Sequence, residues 1–283
     1  MRRALRILGY VSASLVGLVL VAYGIVYVVS EVKLRRSYAV TRRPIAIPHD
    51  SASIAEGGRL ARIRGCTSCH GSMGEGKIMG DRWFIGRFAA PNLTNAVRVY
   101  SDTELEGIIR QGVRPNGRSV LGMPSDEFAP LTDQDLGDIV SYLRSLPVRE
   151  GPAHGVRAGP LMRIALAAGR FQPAAVEARR AAQLTKSFPA PSDPNWAGAY
   201  LARTACSGCH GSDLKGKPDG TPPDLKIAGF YSLDAFTHLM RTGKAPGERE
   251  VGRMSRAARE QFINFTDTEI ASLHRYLVTR ARR

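Results

Sequence analysis

The sequence predicts an all-α protein: one membrane-crossing helix followed by two small helical domains in tandem. Three observations predict it. Residues 7–30 carry no charged side chain and are rich in Val, Leu, Ile, Ala and Gly. The remainder holds the same order of parts twice, and neither copy alternates apolar and polar residues over a useful strand length. Composition sets the frame. A chain of 283 residues suits two small domains plus extras. With 23% charged and 7% aromatic residues it is neither disordered throughout nor a polytopic membrane protein.

The apolar run is long enough to cross a bilayer as a helix, at about 1.5 Å per residue against a hydrocarbon core of about 30 Å. Arg2, Arg3 and Arg6 precede it, and the positive-inside tendency holds that end in the cytoplasm and sends the rest outward. Lys33, Arg35 and Arg36 on the far side work against this orientation. The alternative is a cleaved signal peptide, but the run exceeds the usual apolar segment of about 7–15 residues and no small-x-small site follows it. Residues 1–36 are therefore expected to be an uncleaved, single-pass anchor.

All four cysteines fall into two copies of one pattern, Cys66-Thr67-Ser68-Cys69-His70 and Cys206-Ser207-Gly208-Cys209-His210. C-x-x-C-H is the attachment signature of c-type haem: two thiols add across the vinyl groups as thioethers, and the His supplies the proximal iron ligand. A lone C-x-x-C has rival readings, a redox disulfide or half of a zinc site. The His in both copies argues against them, and each pair sits far from the other in its own matching context. The expected cofactors are two covalently bound c-type haems.

That context is an internal repeat. Tyr100, Ile108, Arg110, Gly112, Pro115, Arg118 and Met123 reappear at one constant offset as Tyr231, Leu239, Arg241, Gly243, Pro246, Arg249 and Met254. Past the methionines the frame shifts slightly, and Thr132-Asp133 pairs with Thr266-Asp267. Upstream, Pro91-Asn92-Leu93 corresponds to Pro223-Asp224-Leu225, and Gly58 to Gly198. Short helices are expected over 53–64 and 195–205, ending at the cysteines. Helices over 101–111 and 232–242 follow, with Ser101-x-x-Glu104 as a capping box. Closing helices over 132–146 and 266–280 start on Thr132 and Thr266 as N-caps. Gly58 and Gly198 on the first helices would admit the closing helices' Tyr142 and Tyr276 at a close crossing. Each domain is so small that a haem would replace part of its core.

With these parts, each copy resembles a class I cytochrome c domain. The pair with its anchor is similar to the membrane-anchored dihaem cytochromes c, including the cytochrome subunits of membrane alcohol and gluconate dehydrogenases. The match covers about residues 50–148 and 193–280, so the expected organisation is an anchor (1–36), a first cytochrome c domain (50–148), a helical connector (149–192) and a second domain (193–283). Carried over by position, the resemblance implies that Pro91 and Pro223 of the two P-x-L segments present backbone carbonyls to the ring N–H of His70 and His210, and that Leu93 and Leu225 of the same segments bind the cofactor. Such a bond fixes ring orientation and raises ligand basicity.

The resemblance also takes His/Met pairing as the reference for the irons. Met123 and Met254 are the methionines equivalent across the repeat and are the expected distal ligands, although Arg253-Met254-Ser255 departs from the family's pattern where Gly122-Met123-Pro124 fits it. Met73 lies too near its own His, Met79 lacks a counterpart, Met162 lies between the domains and Met240 reads as a core residue. His238 and His274 remain as bis-His alternatives for the second haem. Cysteine ligation is excluded, since no fifth cysteine exists. Two six-coordinate irons leave no open substrate position. The expected function is therefore single-electron relay by an electron carrier or an electron-carrying subunit, with a dihaem peroxidase as the alternative.

The connector reads as two helices, one over 159–170 with Leu161, Ile164, Ala165 and Ala168 near one face, the other over 174–184. It is either a packed spacer or, through Arg157, Arg163, Arg170, Arg179 and Arg180, a membrane or partner surface. A formal charge of +15, from 40 Lys and Arg against 25 Asp and Glu, fits an acidic redox partner and not nucleic acid, which a haem protein matured outside the cytoplasm would rarely meet. The expected partners are a membrane dehydrogenase, a quinol-oxidising complex or a terminal oxidase. The expected location is the bacterial inner membrane, with the haem domains in the periplasm.

Overall fold

The computed structural model describes residues 2–184, 188–217 and 220–282. Met1 of the expected anchor, residues 185–187 of the connector, and residues 218–219 and Arg283 of the second domain lie outside it. Helix α1 (Arg2–Arg35) is unbroken and is long and apolar enough to cross a membrane. Its large apolar side chains from Leu5 to Ile25 are exposed.

The first copy contains α2 (Ser51–Ile63), α3 (Cys66–His70), β1 (Lys77–Arg82), β2 (Gly86–Ala90), α4 (Leu93–Val99), α5 (Asp102–Gln111), α6 (Ser125–Phe128) and α7 (Asp133–Ser145). Local sequence sets the helix starts: Asp50, Asn92 and Thr132 each accept a backbone N–H two or three residues into the first turn. Ser101 and Glu104 form the expected capping box. Helices α2 and α7 meet at a glycine surface. A Cβ on Gly57 would collide with the Asp138 carbonyl, and one on Gly58 would lie 3.0 Å from the Tyr142 ring. Around that crossing Leu60, Leu105, Phe128, Leu136, Ile139, Val140 and Leu143 form the core.

The connector contributes β3 (Gly155–Ala158), α8 (Pro160–Ala167) and α9 (Ala174–Leu184). Strand β3 joins β1 and β2 in an antiparallel sheet of order β1-β2-β3. This sheet is an addition to the mostly helical fold that the sequence did not reveal. Strand β1 is exposed along nearly its whole length and irregular between Ile78 and Gly80, so it has no inside-out alternation to read. Because β3 completes the first domain's sheet, the connector is built into that domain. Helix α8 buries Met162 and Leu166, whereas Leu161 and Ile164 are exposed. Its rotation is set by α1, since Arg163 stacks over Tyr27 at 4.0 Å and bonds Ser30 Oγ and Glu31 at 2.9 Å. Helix α9 lies on α5 and α6 through buried Ala174, Ala175, Ala178 and Ala181. Of the connector arginines, Arg163 is thus held internally, and Arg179 donates to the Ala39 carbonyl at 2.9 Å.

In the second copy, α10 (Trp196–Leu201) passes through one π-helical turn (Ala202–Cys206) into α11 (Ser207–His210). A 3-10 turn (Leu225–Phe230), α12 (Leu233–Thr242), the short pair β4 (Lys244–Ala245) and β5 (Arg249–Glu250), α13 (Arg253–Glu260) and α14 (Asp267–Ala281) follow. Ser232 and Thr266 cap α12 and α14. Gly198 on α10 faces Ser272 and Tyr276 of α14, with Tyr276 Cβ 2.7 Å from where a Cβ would stand.

The two copies embrace reciprocally. Arg59 of α2 bonds Glu269 in the first turn of α14 at 2.7 Å and the Asn264 carbonyl at 3.0 Å. In return Tyr200 of α10 donates to Asp135, in the first turn of α7, at 2.5 Å. Each first helix therefore caps the start of the other copy's closing helix.

Candidate functional site

In the first copy Gly65 adopts φ +70°, a left-handed conformation that ends α2 and lets α3 begin afresh at Cys66. The second copy has Ala205 at that position, which disfavours such a break, and the helix widens into the π turn instead. In both, Cys, Cys and His at positions i, i+3 and i+4 share one helical face. His70 Nδ1 donates to the Pro91 carbonyl and His210 Nδ1 to the Pro223 carbonyl, each at 2.8 Å. A carbonyl only accepts, so the proton sits on Nδ1 and Nε2 keeps its lone pair. Burial lowers both imidazole pKa values, against the raising effect of the carbonyl bonds, and keeps the rings neutral.

The loops that carry the prolines are tied back in the same way. The His70 carbonyl accepts from Gly76 at 2.6 Å and the His210 carbonyl from Gly216 at 2.7 Å. The Leu93 N–H donates to the Gly74 carbonyl at 2.7 Å, and Leu225 to that of Leu214 at 3.0 Å. Leu93 and Leu225 also pack on the cores of their own copies. Met123, in the loop before α6, and Met254, in the first turn of α13, are each partly buried against their own core. Of the other described methionines, Met73 and Met79 are exposed, Met162 is on the buried face of α8 and Met240 is in the core. His238 is exposed and 3.0 Å from Glu248, and His274 Nε2 donates to the Tyr231 carbonyl at 2.8 Å with its ring against Phe236. Both histidine alternatives are thus engaged away from the motif.

All four thiols are unpaired. Burial pushes the Cys66 and Cys206 thiols up to about 12 and raises Cys69 and Cys209, the opposite of what a redox thiolate or zinc ligand needs. Among the described residues no group of three or more His, Cys, Asp or Glu converges, so the zinc arrangement weighed above has no ligand set.

Between the motifs lies a buried polar seam that sequence reasoning missed. Arg64, its side chain 1% exposed, approaches Asp135 at 3.4 Å and lies 5.7 Å from the Tyr200 ring centroid. Glu127 on α6 meets the backbone N–H of Gly208, inside the second motif. Burial pushes its carboxyl up to about 8 against the pull of Arg64. Burial likewise raises Tyr200 to about 12. Arg64 and Glu127 each act on both Cys66 and Cys206, so the two attachment edges flank one seam. Ser212 donates to Asp126 at 3.2 Å and Gln261 to Ser68 at 3.3 Å across the same boundary.

A sequence model of the cytochrome c family, described as Cytochrome c, matches residues 54–147 and 197–281. The chain belongs to the cytochrome c family. As a cytochrome c it is an electron carrier and not itself a catalytic enzyme. It is similar to the fructose dehydrogenase cytochrome subunit of Gluconobacter japonicus, with 32% identity over 152 residues. That alignment takes in 50% of this chain and 28% of the relative, so the cytochrome spans well under half of that protein.

The residues of each cytochrome domain fit covalently held haem. They offer two protonated, unpaired thiols on one helical turn, a neutral imidazole with a free Nε2, and a thioether on the same core. The seam had almost no sequence signal. Neither Arg64 nor Glu127 belongs to a motif, and Tyr200, where the first copy has Leu60, is one of several differences between the two first helices.

Proposed function

We propose that this cytochrome is a membrane-tethered dihaem relay that passes single electrons between a membrane or periplasmic donor and an acceptor such as a terminal oxidase. Cys66 and Cys69 would hold one haem and Cys206 and Cys209 the other. His70 with Met123, and His210 with Met254, would be the axial ligands. The observation that carries this reading is the duplicated bond from imidazole Nδ1 to proline carbonyl at 2.8 Å, beside a C-x-x-C pair in each copy. When bound, each haem supplies a one-electron iron couple. The protein's part is to orient His70 and His210 through Pro91 and Pro223, to keep both rings neutral by burial, and to hold the attachment edges on either side of one rigid seam. Arg59 with Glu269, and Tyr200 with Asp135, keep that spacing fixed. Helix α1 would place the relay at the bacterial inner membrane with its haem domains in the periplasm.

The name of the similar Gluconobacter protein favours a role as the cytochrome subunit of a membrane dehydrogenase over a free-standing carrier. Two measurements test the proposal. Near-infrared spectra of the oxidised protein should show thioether-ligated iron in both domains, with half the band intensity lost in Met123→Ala and half in Met254→Ala. A band unchanged by either substitution rejects that methionine as a ligand. Affinity capture of the intact chain from solubilised membranes should bring down a dehydrogenase, and recovery of the cytochrome alone would overturn the subunit assignment.

A further inference from the structure

Among the described residues the hairpin β1–β2 has no counterpart in the second domain. There His210 reaches its proline carbonyl across 13 residues, whereas His70 needs 21. Since the shorter loop closes the same bond at the same length, holding the imidazole does not require the hairpin. Its turn carries Trp83, Phe84 and Ile85. Trp83 is 83% exposed and edge-on to Phe84 at 5.6 Å, and Ile85 is also exposed. An apolar turn presented to water without a partner marks an interaction surface.

Helix α8 extends that surface and fixes its height. The Leu161 N–H donates to the Phe84 carbonyl at 2.8 Å and Gly159 to Ile85 at 3.1 Å, so the turn and the start of α8 form one unit. The side chains of Leu161 and Ile164 are open beside it. On its other face α8 is clamped to α1 at two levels. Arg163 meets Tyr27, Ser30 and Glu31, and Lys33 donates to the Leu166 carbonyl at 2.7 Å and that of Ala167 at 3.1 Å. Helix α8 therefore climbs in the same sense as α1, and its first residues and the hairpin turn lie level with Tyr27 or below, toward the middle of the span. The apolar run 7–30 is longer than the roughly 20 helical residues that cross the hydrocarbon. Glu31, Lys33 and Arg35 close the run with charges that stay among the headgroups, so its last turn, with Tyr27, lies at that border, where Trp and Tyr are enriched.

We propose that the turn 83–85 and the open flank of α8 dip into the lipid–water interface of the leaflet from which α1 emerges, and so fix the tilt of the first haem domain over the membrane. The occupant is lipid because the patch is continuous with the anchor and level with its end. Arg82 and Arg157 flank it for anionic headgroups, with Asp81 the opposing charge on the same strand. A single helix would leave the domain free to swivel; a second contact beside it removes that freedom. The proposal rests on α1 being a membrane anchor.

The test uses the full-length holoprotein in protein-free liposomes containing anionic lipid. With the native cysteines in thioether linkage, Trp83→Cys, Leu161→Cys, Leu18→Cys and Phe230→Cys each present one thiol for a nitroxide label. The readout is the ratio of collisions with oxygen, which concentrates in lipid, to collisions with a water-soluble nickel chelate. The ratio should be several-fold higher at positions 83, 161 and 18 than at 230, an exposed apolar position in the second domain. Aqueous values at 83 and 161 with a lipid value at 18 overturn the proposal, leave the anchor standing and point to a protein as the cover of this patch. An aqueous value at 18 overturns the anchor and the proposal with it. A lipid value at 230 as well overturns a fixed tilt. Labels at 83 and 161 lie on separate elements, so a local distortion at one does not mimic the result at the other.

Discussion

The two domains solve one problem with different local means, and the differences separate what holding the site requires from what is added to it. In both, the imidazole is bonded to a proline carbonyl at 2.8 Å, the loop residue 74 or 214 is left-handed, and a glycine lets the first helix cross the closing helix. The His, the Pro and the crossing Gly are the same in both copies, but other residues that shape the site differ. Gly74 is left-handed at little cost, whereas Leu214 takes φ +62° and is fully buried. Burying a leucine is worth about 2 kcal/mol, enough to offset a left-handed penalty of about 1–2 kcal/mol. Gly65 breaks its helix where Ala205 forces a π turn. The hairpin, β3 and α8 belong to the first domain alone, and all lie on the side of the anchor.

The largest expected effect tests whether the copies are independent sites. Cys66→Ala with Cys69→Ala, and Cys206→Ala with Cys209→Ala, should each remove one of two covalent haems, read as a one-haem loss in intact mass. Loss of both haems from either variant would mean that the shared seam makes attachment in one copy depend on the other.

A smaller effect separates the two glycine crossings. Gly198→Ala drives a Cβ against the Ser272 carbonyl and Tyr276 Cβ, which cannot move without the α14 backbone. It should cost about 3 kcal/mol. Gly58→Ala meets only a tyrosine ring, which can shift, and should stay within about 1 kcal/mol of the parent. Denaturant unfolding of the two variants measures both, and equal losses would make the crossings equivalent after all.

The smallest effect concerns the seam. Glu127 is held protonated by burial, with its pKa pushed up to about 8 in the fold. On unfolding it returns to the ordinary carboxylate range of about 4.3. As pH rises between these values the unfolded chain loses its proton first, so this group lowers stability progressively across that window. Glu127→Gln should abolish that part of the slope and be the more stable form at pH 8 by at least about 1 kcal/mol. Paired unfolding curves at pH 5 and pH 8 check it, and parallel pH dependence in the two proteins would place Glu127 in contact with water.

Much of the helical frame was legible because it is written in local chemistry. Asp50, Ser101, Thr132, Ser232 and Thr266 stop and start helices by bonding their own first turns. The C-x-x-C-H patterns and the repeat are likewise one-dimensional signals. The sheet was not legible, because β1 is exposed on both faces and β3 lies some 65 residues beyond β2, so pairing is decided by contacts between distant segments. Which face of α8 is buried was not legible for a related reason: its rotation is set by Tyr27, Ser30 and Lys33 of α1 and not by its own periodicity.

The sequence by itself determined that this chain is a tandem of two helical cytochrome c domains behind an apolar helix, since spacing on a helical turn, capping and hydrophobic length act over a few residues. Only the tertiary structure decided how the domains face each other and the anchor. That arrangement depends on Arg59 finding Glu269, Tyr200 finding Asp135, and Arg64 and Glu127 losing their water together. A charged side chain carries no mark in the sequence of whether water or another domain will surround it, because desolvation belongs to the packed neighbourhood and not to the residue.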